Sequence, residues 1–177
     1  MSKNLTSGNV PELDGAGRRI ALICARFNDL IVDRLESGAR HALLKAGVAE
    51  GDVVTIKVPG ALEIPIAMQA ALATNKFDAA IALGVVLRGD TYHFEVVSNE
   101  SSAGVMRVGL DSGRVVTNGI LTVDTQAQAD ERSVDGPGNK GAEAAEAALE
   151  LLAVCEQLWQ TEAGRQPNDV KVLASAA

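Results

Sequence analysis

The stretch that decides the fold is Phe77-Asp78-Ala79-Ala80-Ile81-Ala82-Leu83, followed by Gly84-Val85-Val86-Leu87-Arg88-Gly89-Asp90-Thr91-Tyr92-His93-Phe94-Glu95. After Asp78, the first part is a continuous apolar run, which is typical of a strand buried on both faces of a parallel sheet. The second part is interpreted as a glycine-hinged turn that leads into a helix. In an open α/β sheet, ligands bind in the turns that leave the carboxyl ends of the strands.

The same alternation of strand and helix extends in both directions from this stretch. Apolar runs predict strands at residues 19–25, 52–58, 77–83 and 115–123. Helical spacing predicts helices after each strand, with Asn28 or Asp29 capping the first, Gly113 ending the third, a short helix at 125–132 and a long one at 142–160. Right-handed crossovers then give a parallel four-stranded sheet with helices on both sides.

The length of 177 residues favours a single domain, and 47% hydrophobic residues indicate a globular chain. We divide the chain into an N-terminal arm (residues 1–17), a domain (18–160) and a polar C-terminal tail (161–177). Because aromatic residues make up only 3% of the chain, the core must be built from aliphatic side chains.

The formal net charge of −7 and the lack of a dense Lys/Arg run argue against nucleic-acid or membrane partners. The N-terminus has no signal-peptide pattern and no apolar run reaches the length of a membrane helix, so we expect a cytoplasmic protein. Cys24 and Cys155 lie in apolar contexts and are interpreted as reduced, buried thiols. Neither a metal-ligand spacing nor a nucleotide-cofactor fingerprint occurs, so we expect no metal and no cofactor.

Two features of the opening stretch could carry chemistry. Gly89-Asp90-Thr91 leads into a helix N-terminus and suits a phosphate, although an ordinary capped turn explains it equally simply. His93 can transfer a proton near neutral pH, whereas His41 lies in the middle of a helix and is interpreted as a surface residue.

Other strand-end turns offer further candidates, each with a structural alternative. Phe27 could stack on a planar ring or fill the core, and Glu63 could bind a ligand or complement a helix dipole. Arg132 and Lys140 flank a glycine-rich loop and could bind phosphate or lie on the surface. Asn139 could cap the last helix.

Taken together, five segments give the sequence a specific resemblance. They are Ala25-Arg26-Phe27-Asn28-Asp29, Val58-Pro59-Gly60-Ala61-Leu62-Glu63-Ile64-Pro65, residues 83–95, Asn118-Gly119-Ile120-Leu121-Thr122, and Gly138-Asn139-Lys140-Gly141. In this order, over roughly residues 19–155, they resemble the 6,7-dimethyl-8-ribityllumazine synthase family of riboflavin biosynthesis.

The resemblance implies a flavodoxin-like α/β/α sandwich and a transferase that needs no metal or redox cofactor. The implied reaction condenses 5-amino-6-(D-ribitylamino)uracil with 3,4-dihydroxy-2-butanone 4-phosphate and releases phosphate and water. It implies that His93 transfers protons and that Asp90, Thr91 and Arg132 bind the phosphate, with Arg88 and Lys140 as further candidates. The residues implied to bind the ribitylaminouracil are Phe27, Ala61, Leu62, Glu63, Val85, Val86, Leu87 and Asn118.

The resemblance also implies an assembly. A homopentamer would have its sites at subunit interfaces, Arg132 would come from the neighbouring subunit, and the N-terminal arm would add a strand to a neighbour's sheet. The resemblance leaves a bare pentamer and a 60-subunit icosahedral shell as alternatives, and it suggests a functional link to riboflavin synthase.

Two positions depart from the family pattern. Asn118 stands where many members have phenylalanine, and Gly136 stands where many capsid-forming members have lysine. Asn118 keeps open a non-catalytic flavin- or lumazine-binding module, and a shell protein with a vestigial site is the structural alternative.

Overall fold

A computed structural model describes residues 13–163 of the chain, with side chains through residue 158. It contains one sheet of four parallel strands in the order β2-β1-β3-β4. The strands are β1 (Ile20–Ala25), β2 (Val53–Val58), β3 (Ala79–Leu87) and β4 (Val115–Val123). The helices are α1 (Asp29–Lys45), α2 (Ile64–Ala73), α3 (His93–Ser112), α4 (Gln126–Ser133) and α5 (Lys140–Ala163), and short 3₁₀ turns occupy Glu50–Asp52 and Ala61–Glu63.

Helices cover both faces of the sheet, which confirms the predicted three-layer α/β/α class. Alternate side chains of β1 and β3, such as Leu22 and Ile81, pack with α1 and α5 in one apolar cluster. The intervening side chains, such as Ile23 and Ala82, pack with α2 and α3 in the other. The two central strands are therefore buried on both faces, which explains why their sequences are almost continuously apolar.

The prediction for the end of β3 is wrong. The strand does not stop at Leu83 but continues to Leu87, because it pairs residue for residue with β4 from Ala79↔Val115 to Leu87↔Val123. Gly84 lies inside the strand, where an added Cβ would come within 3.3 Å of the Ile64 side chain. The turn that leaves β3 therefore begins at Arg88.

Most helix ends follow the predicted signals. Gly113 ends α3 in the left-handed conformation (φ 62°), as predicted. α4 begins one residue after the predicted start, because the Thr125 hydroxyl caps it by accepting a hydrogen bond from the Gln128 N–H at 3.2 Å. Asn28 occupies the N-cap position of α1 with φ 60°, but its side chain makes no capping hydrogen bond, so that part of the prediction is wrong. Its carbonyl instead accepts hydrogen bonds from the first turn of α1.

The first described residues lie against the domain. Leu13 packs on the α1/α5 cluster, and the Gly15 N–H donates to the Ala46 carbonyl at 2.8 Å. Arg18 forms a bidentate ion pair with Glu156 of α5. The rest of the predicted arm (1–12) and most of the predicted tail (164–177) lie outside the described residues.

The two cysteines are free thiols in different surroundings. Cys24 is fully buried in β1, and burial raises the pKa of its thiol to about 12. Cys155 is partly exposed, so the prediction of a buried thiol is correct for Cys24 but not for Cys155. None of the described helices is both long and apolar enough to cross a bilayer.

The helices α1 and α5 cross at very short range because glycines occupy the crossing point. A Cβ added to Gly141 would lie 1.9 Å from the Leu35 carbonyl oxygen, and one added to Gly38 would lie 2.2 Å from Oδ1 of Asn139. The atoms that block a Cβ at Gly141 belong to the backbone of Leu35, so no change of rotamer can move them away. The crossing therefore requires glycine at residue 141.

We expect Gly141→Ala to lower the free energy of unfolding by about 2 kcal/mol or more, since the added methyl group forces α1 and α5 apart. Alanine favours a helix over glycine by up to about 1 kcal/mol, so propensity alone predicts the opposite sign. Urea unfolding followed by circular dichroism at a fixed subunit concentration measures the difference. Gly51→Ala is the control, because an added Cβ there meets no atom within 4 Å; equal stability of the two variants would contradict the prediction.

Candidate functional site

A cleft opens at the carboxyl edge of the sheet, on the side of α2 and α3. We call it the rim cleft. Its volume is about 500 Å³, which is in the usual range for small-molecule sites. It is lined by Phe27, Pro59, Gly60, Ala61, Leu62, Glu63, Val85, Val86, Leu87, Gly89, Thr91, His93, Phe94 and Val97.

Backbone hydrogen bonds hold the turn after β1 in the mouth of the rim cleft. The Arg26 N–H donates to the Val58 carbonyl at 2.8 Å, and the Phe27 N–H donates to the Pro59 carbonyl at 3.2 Å. The Phe27 side chain is nevertheless 71% exposed. Phe27 therefore does not fill the core, and its ring is free to stack on a flat ligand.

The segment after β2 forms one wall of the cleft. The Glu63 N–H donates to the Gly60 carbonyl at 3.3 Å, which closes the 3₁₀ turn Ala61–Glu63 before α2 begins. Ala61 is buried, whereas Leu62 and Glu63 are exposed. This wall therefore presents an aliphatic side chain and a carboxylate next to backbone groups.

The end of β3 and the start of α3 form the opposite wall. Val85 and Val86 are buried strand residues, and His93 is exposed as the first residue of α3. The His93 N–H donates to the Thr91 hydroxyl at 3.4 Å. Asp90 is exposed in the same turn. An imidazole and a helix N-terminus thus face an apolar floor, which suits proton transfer beside an anion.

The rim cleft carries little positive charge. Among the described residues that line it, His93 is the single basic side chain and Glu63 the single carboxylate. Arg88, which lies between the lining residues Leu87 and Gly89, pairs with Glu95 and Asp124. The cleft therefore lacks the cationic partner that a phosphate group ordinarily requires.

Three residues predicted to bind substrate lie outside the rim cleft. A second cavity of about 530 Å³, which we call the edge groove, runs along the open edge of β4 between α4 and α5. Its lining includes Asn118, Arg132 and Lys140, and it shares no residue with the rim cleft. The four strand-end turns therefore do not all line one cavity, because β4 is an edge strand and its last turn faces outward.

The cations of the edge groove make few contacts. Arg132 is partly exposed and donates to the Gln128 carbonyl at 3.0 Å and to Glu131 at 3.3 Å. Lys140 pairs with Glu143 at 2.6 Å on the exposed face of α5. Both could turn toward an anion with little loss, since such surface contacts stabilise by at most about 1 kcal/mol.

Asn118 bonds to its own surroundings. Its Oδ1 accepts from the Ile120 N–H at 2.9 Å, and its Nδ2 donates to the Ser102 hydroxyl at 3.4 Å. The side chain is exposed on the open edge of the sheet. Asn118 therefore places polar groups, and not a flat apolar face, at this edge of the sheet.

The sequence interpretation missed two residues that line the rim cleft, Phe94 and Val97, which lie one turn apart on α3. Phe94 could have been found, because it is one of three phenylalanines and follows His93 directly. No group of three or more His, Cys, Asp or Glu side chains in the described part of the chain could hold a metal ion.

The loop that joins α4 to α5, and so separates Arg132 from Lys140, is fixed by one buried side chain. Asn139 is 1% exposed, and its Nδ2 lies within hydrogen-bond distance of the carbonyl oxygens of Arg34, Ser133 and Val134 at 3.2, 2.8 and 3.3 Å. Its Oδ1 caps α5 by accepting from the Gly141 and Ala142 N–H groups. The capping role predicted for Asn139 is confirmed, and it explains why α5 begins two residues before the predicted start.

We expect Asn139→Ala to lower the free energy of unfolding by about 2–4 kcal/mol, because it removes the cap and leaves buried carbonyls without a donor. The exposed α2 variant Gln69→Ala is the control and should change stability by less than about 0.5 kcal/mol. Urea unfolding of both variants at one subunit concentration provides the comparison. A loss below about 1 kcal/mol would show that Asn139 does not hold the loop.

Comparison with known proteins agrees with the geometry. The 6,7-dimethyl-8-ribityllumazine synthase family model matches residues 17–156. The 6,7-dimethyl-8-ribityllumazine synthase of Cupriavidus necator is 50% identical over 160 residues, which covers 89% of this chain and 94% of the relative. The protein of the same description from Anaeromyxobacter sp. (strain K) is 48% identical over 151 residues, or 85% and 93% of the two chains. That from Cupriavidus metallidurans is 50% identical over 139 residues, or 78% and 80%. The chain therefore belongs to the 6,7-dimethyl-8-ribityllumazine synthase family.

Proposed function

We propose that this protein condenses 5-amino-6-(D-ribitylamino)uracil with 3,4-dihydroxy-2-butanone 4-phosphate to form 6,7-dimethyl-8-ribityllumazine. The observation that carries the proposal is the composition of the rim cleft. The cleft brings together an exposed aromatic ring, a carboxylate, the apolar end of a strand and an imidazole at a helix N-terminus. The relatives with the same description cover most of the chain.

The proposed roles follow from the two walls of the cleft. Phe27 stacks on the pyrimidine ring, while the backbone of Val85, Val86 and Leu87 holds its polar edge. The segment Ala61–Glu63 binds the ribityl chain, for which a carboxylate and backbone groups are suitable hydrogen-bond partners. This arrangement leaves the substrate amine directed toward His93 and the start of α3.

The phosphate substrate is proposed to bind between Thr91 and Arg132. The Gly89–Thr91 turn supplies backbone N–H groups, with Asp90 contributing its main chain, at the positive end of the α3 dipole. The remaining charge must come from a cation that the rim cleft lacks. Arg132 of the edge groove is well suited to bind phosphate, and Lys140 is a second candidate.

Because the rim cleft and the edge groove share no residue, we infer that a complete site forms between two subunits. Apolar side chains support such contacts on both faces of the molecule. Val96, Met106 and Leu110 form an exposed stripe on α3, and Leu151, Val154 and Leu158 form another on α5. Two different apolar surfaces favour a ring over a two-fold dimer, since a ring joins unlike surfaces.

The resemblance predicts that this ring is a pentamer. A single ring is our proposal because Gly136 stands where many shell-forming relatives have lysine. Light scattering distinguishes a ring from a 60-subunit shell. A strand contributed by residues 1–17 to a neighbouring subunit is part of the same proposal. So is a cytoplasmic location, which two free cysteines suit.

In the proposed mechanism, the amine adds to the ketone and the resulting adduct loses water to give an imine. Elimination of phosphate leaves an enol that tautomerises to a ketone. Attack of the second amine on this carbonyl, with loss of a second water, then closes the ring. Holding both reactants together supplies most of the acceleration, since well-oriented pairs reach effective molarities of about 10⁵ M or more. His93 moves protons in the steps at the ketone and contributes about 10²–10⁴-fold.

The direct test mixes the two substrates with the protein and follows lumazine absorbance and fluorescence. The proposal requires clear acceleration over the uncatalysed condensation. A protein that binds the product but does not accelerate its formation would instead be a binding module, the alternative that Asn118 favours.

We expect His93→Ala to lower kcat by about 10²–10⁴-fold while the dissociation constant of the ribitylaminouracil changes little, because Phe27 and the strand end carry its binding. Steady-state kinetics and fluorescence titration measure the two quantities. His41→Ala, an exposed histidine in the middle of α1, is the matched control. An unchanged kcat, or equal losses in the two variants, would remove His93 from the mechanism.

A further inference from the structure

Arg88 occupies the junction of three elements. Its backbone N–H donates to the Val123 carbonyl at 3.0 Å and so extends the pairing of β3 with β4 by one residue. Its Nε donates to Oδ1 of Asp124 at 2.6 Å, and its Nη1 donates to Oε1 of Glu95 at 2.5 Å. One guanidinium group therefore joins the ends of β3 and β4 to the first turn of α3.

The same guanidinium also stacks on an aromatic ring. Its central carbon lies 4.0 Å from the centroid of the Phe94 ring, well inside the range of a cation–π contact. Phe94 is a wall of the rim cleft and follows His93 directly. Arg88 thus contacts both residues that follow His93 in the chain.

The charge balance of this cluster disfavours a direct role in binding an anion. One guanidinium faces two carboxylates, so the cluster of Arg88, Glu95 and Asp124 is negative overall. The hydrogen bond from Arg88 lowers the pKa of Glu95, so this contact favours the charged carboxylate. A phosphate approaching Arg88 would have to displace a carboxylate partner.

The contacts of Arg88 act on the two ends of a short segment. Residues 88–93 contain the proposed phosphate turn and His93, and the hydrogen bond from the His93 N–H to Thr91 is long at 3.4 Å. Arg88 fixes the start of this segment to β4 through Asp124 and its end to α3 through Glu95. The position of His93 over the cleft therefore depends on a contact made outside the cleft.

We propose that Arg88 is a positioning residue for the reaction. It holds His93, Phe94 and the Gly89–Thr91 turn against the rim cleft through Glu95 and Asp124, and it does not touch the phosphate. The proposal rests on the proposed function. Arg88 affects turnover only by positioning the residues that it contacts.

The test compares kcat and KM for Arg88→Met, Arg88→Lys and Glu95→Gln. A displaced reacting group costs about 10–100-fold in rate, so Arg88→Met should lower kcat by that factor while KM for the butanone phosphate stays within about 3-fold. Arg88→Lys should restore part of kcat, because an ammonium can keep one ion pair but not two. Glu95→Gln should also lower kcat. The double variant Arg88→Met/Glu95→Gln should lose no more kcat than Arg88→Met alone, because both changes remove the same contact.

Arg19→Met is the matched control. Arg19 also lies over a phenylalanine ring, that of Phe77, and pairs with Asp52, but at the opposite edge of the sheet. Its removal should leave kcat unchanged even if the melting temperature falls.

The outcomes separate the two proposals. A wild-type protein that does not accelerate lumazine formation rejects the proposed function, whatever the variants do. With an active wild type, a rise in KM of more than about 10-fold at unchanged kcat makes Arg88 a phosphate ligand and overturns the positioning role. If Arg88→Met does not assemble, Glu95→Gln keeps the side-chain shape and decides alone, and an unchanged kcat in that variant overturns the proposal.

Discussion

The parallel pairing of β3 with its two neighbours is the constraint on which the rest of the structure depends. β3 is in register with β1 over residues 79–83 and with β4 over residues 79–87. Because all strands run in one direction, their carboxyl ends meet at one edge, and the turns after β1, β2 and β3 converge there. β3 outruns β1 and thereby carries Val85, Val86 and Leu87 past the end of its neighbour, where the strand forms a wall of the cleft.

Much of this architecture could be predicted from the sequence, because its signals are local. Apolar runs mark the strands, and Gly113, Thr125 and Asn139 mark helix ends by their own backbone or side-chain chemistry. The end of β3 could not be predicted in this way. Gly84 suggests a turn, but pairing with β4 keeps it in the strand, and that pairing joins residues 36 positions apart.

The residues of the site likewise fall into those that local sequence predicts and those that depend on the folded structure. Phe27, Glu63 and His93 could be proposed from their places after strands, and all three line the rim cleft. Arg132 and Lys140 lie apart from that cleft because β4 is an edge strand. No short sequence pattern indicates which strand lies at the edge of the sheet. The role of Arg88 depends on Asp124, a partner that only the folded chain brings within 2.6 Å.

Charge explains why one subunit alone is an unsatisfactory phosphate site. The chain has a net charge of −7, and Arg34, Arg88 and Lys140 are each paired with a carboxylate. A phosphate in the rim cleft would meet a helix N-terminus, but no arginine or lysine is among the described residues that line that cleft. The edge groove supplies cations without an aromatic ring or a histidine. The proposed association of two copies would therefore bring complementary groups together.

Complementation between inactive subunits tests this central claim most directly. His93→Ala and Arg132→Ala subunits are unfolded together, refolded as mixed rings, and assayed for lumazine formation beside each variant refolded alone. If each site takes His93 from one subunit and Arg132 from the next, random mixing restores up to about one quarter of the wild-type sites. Activity that stays at the mean of the two separate variants would contradict a shared site and assign both residues to one subunit.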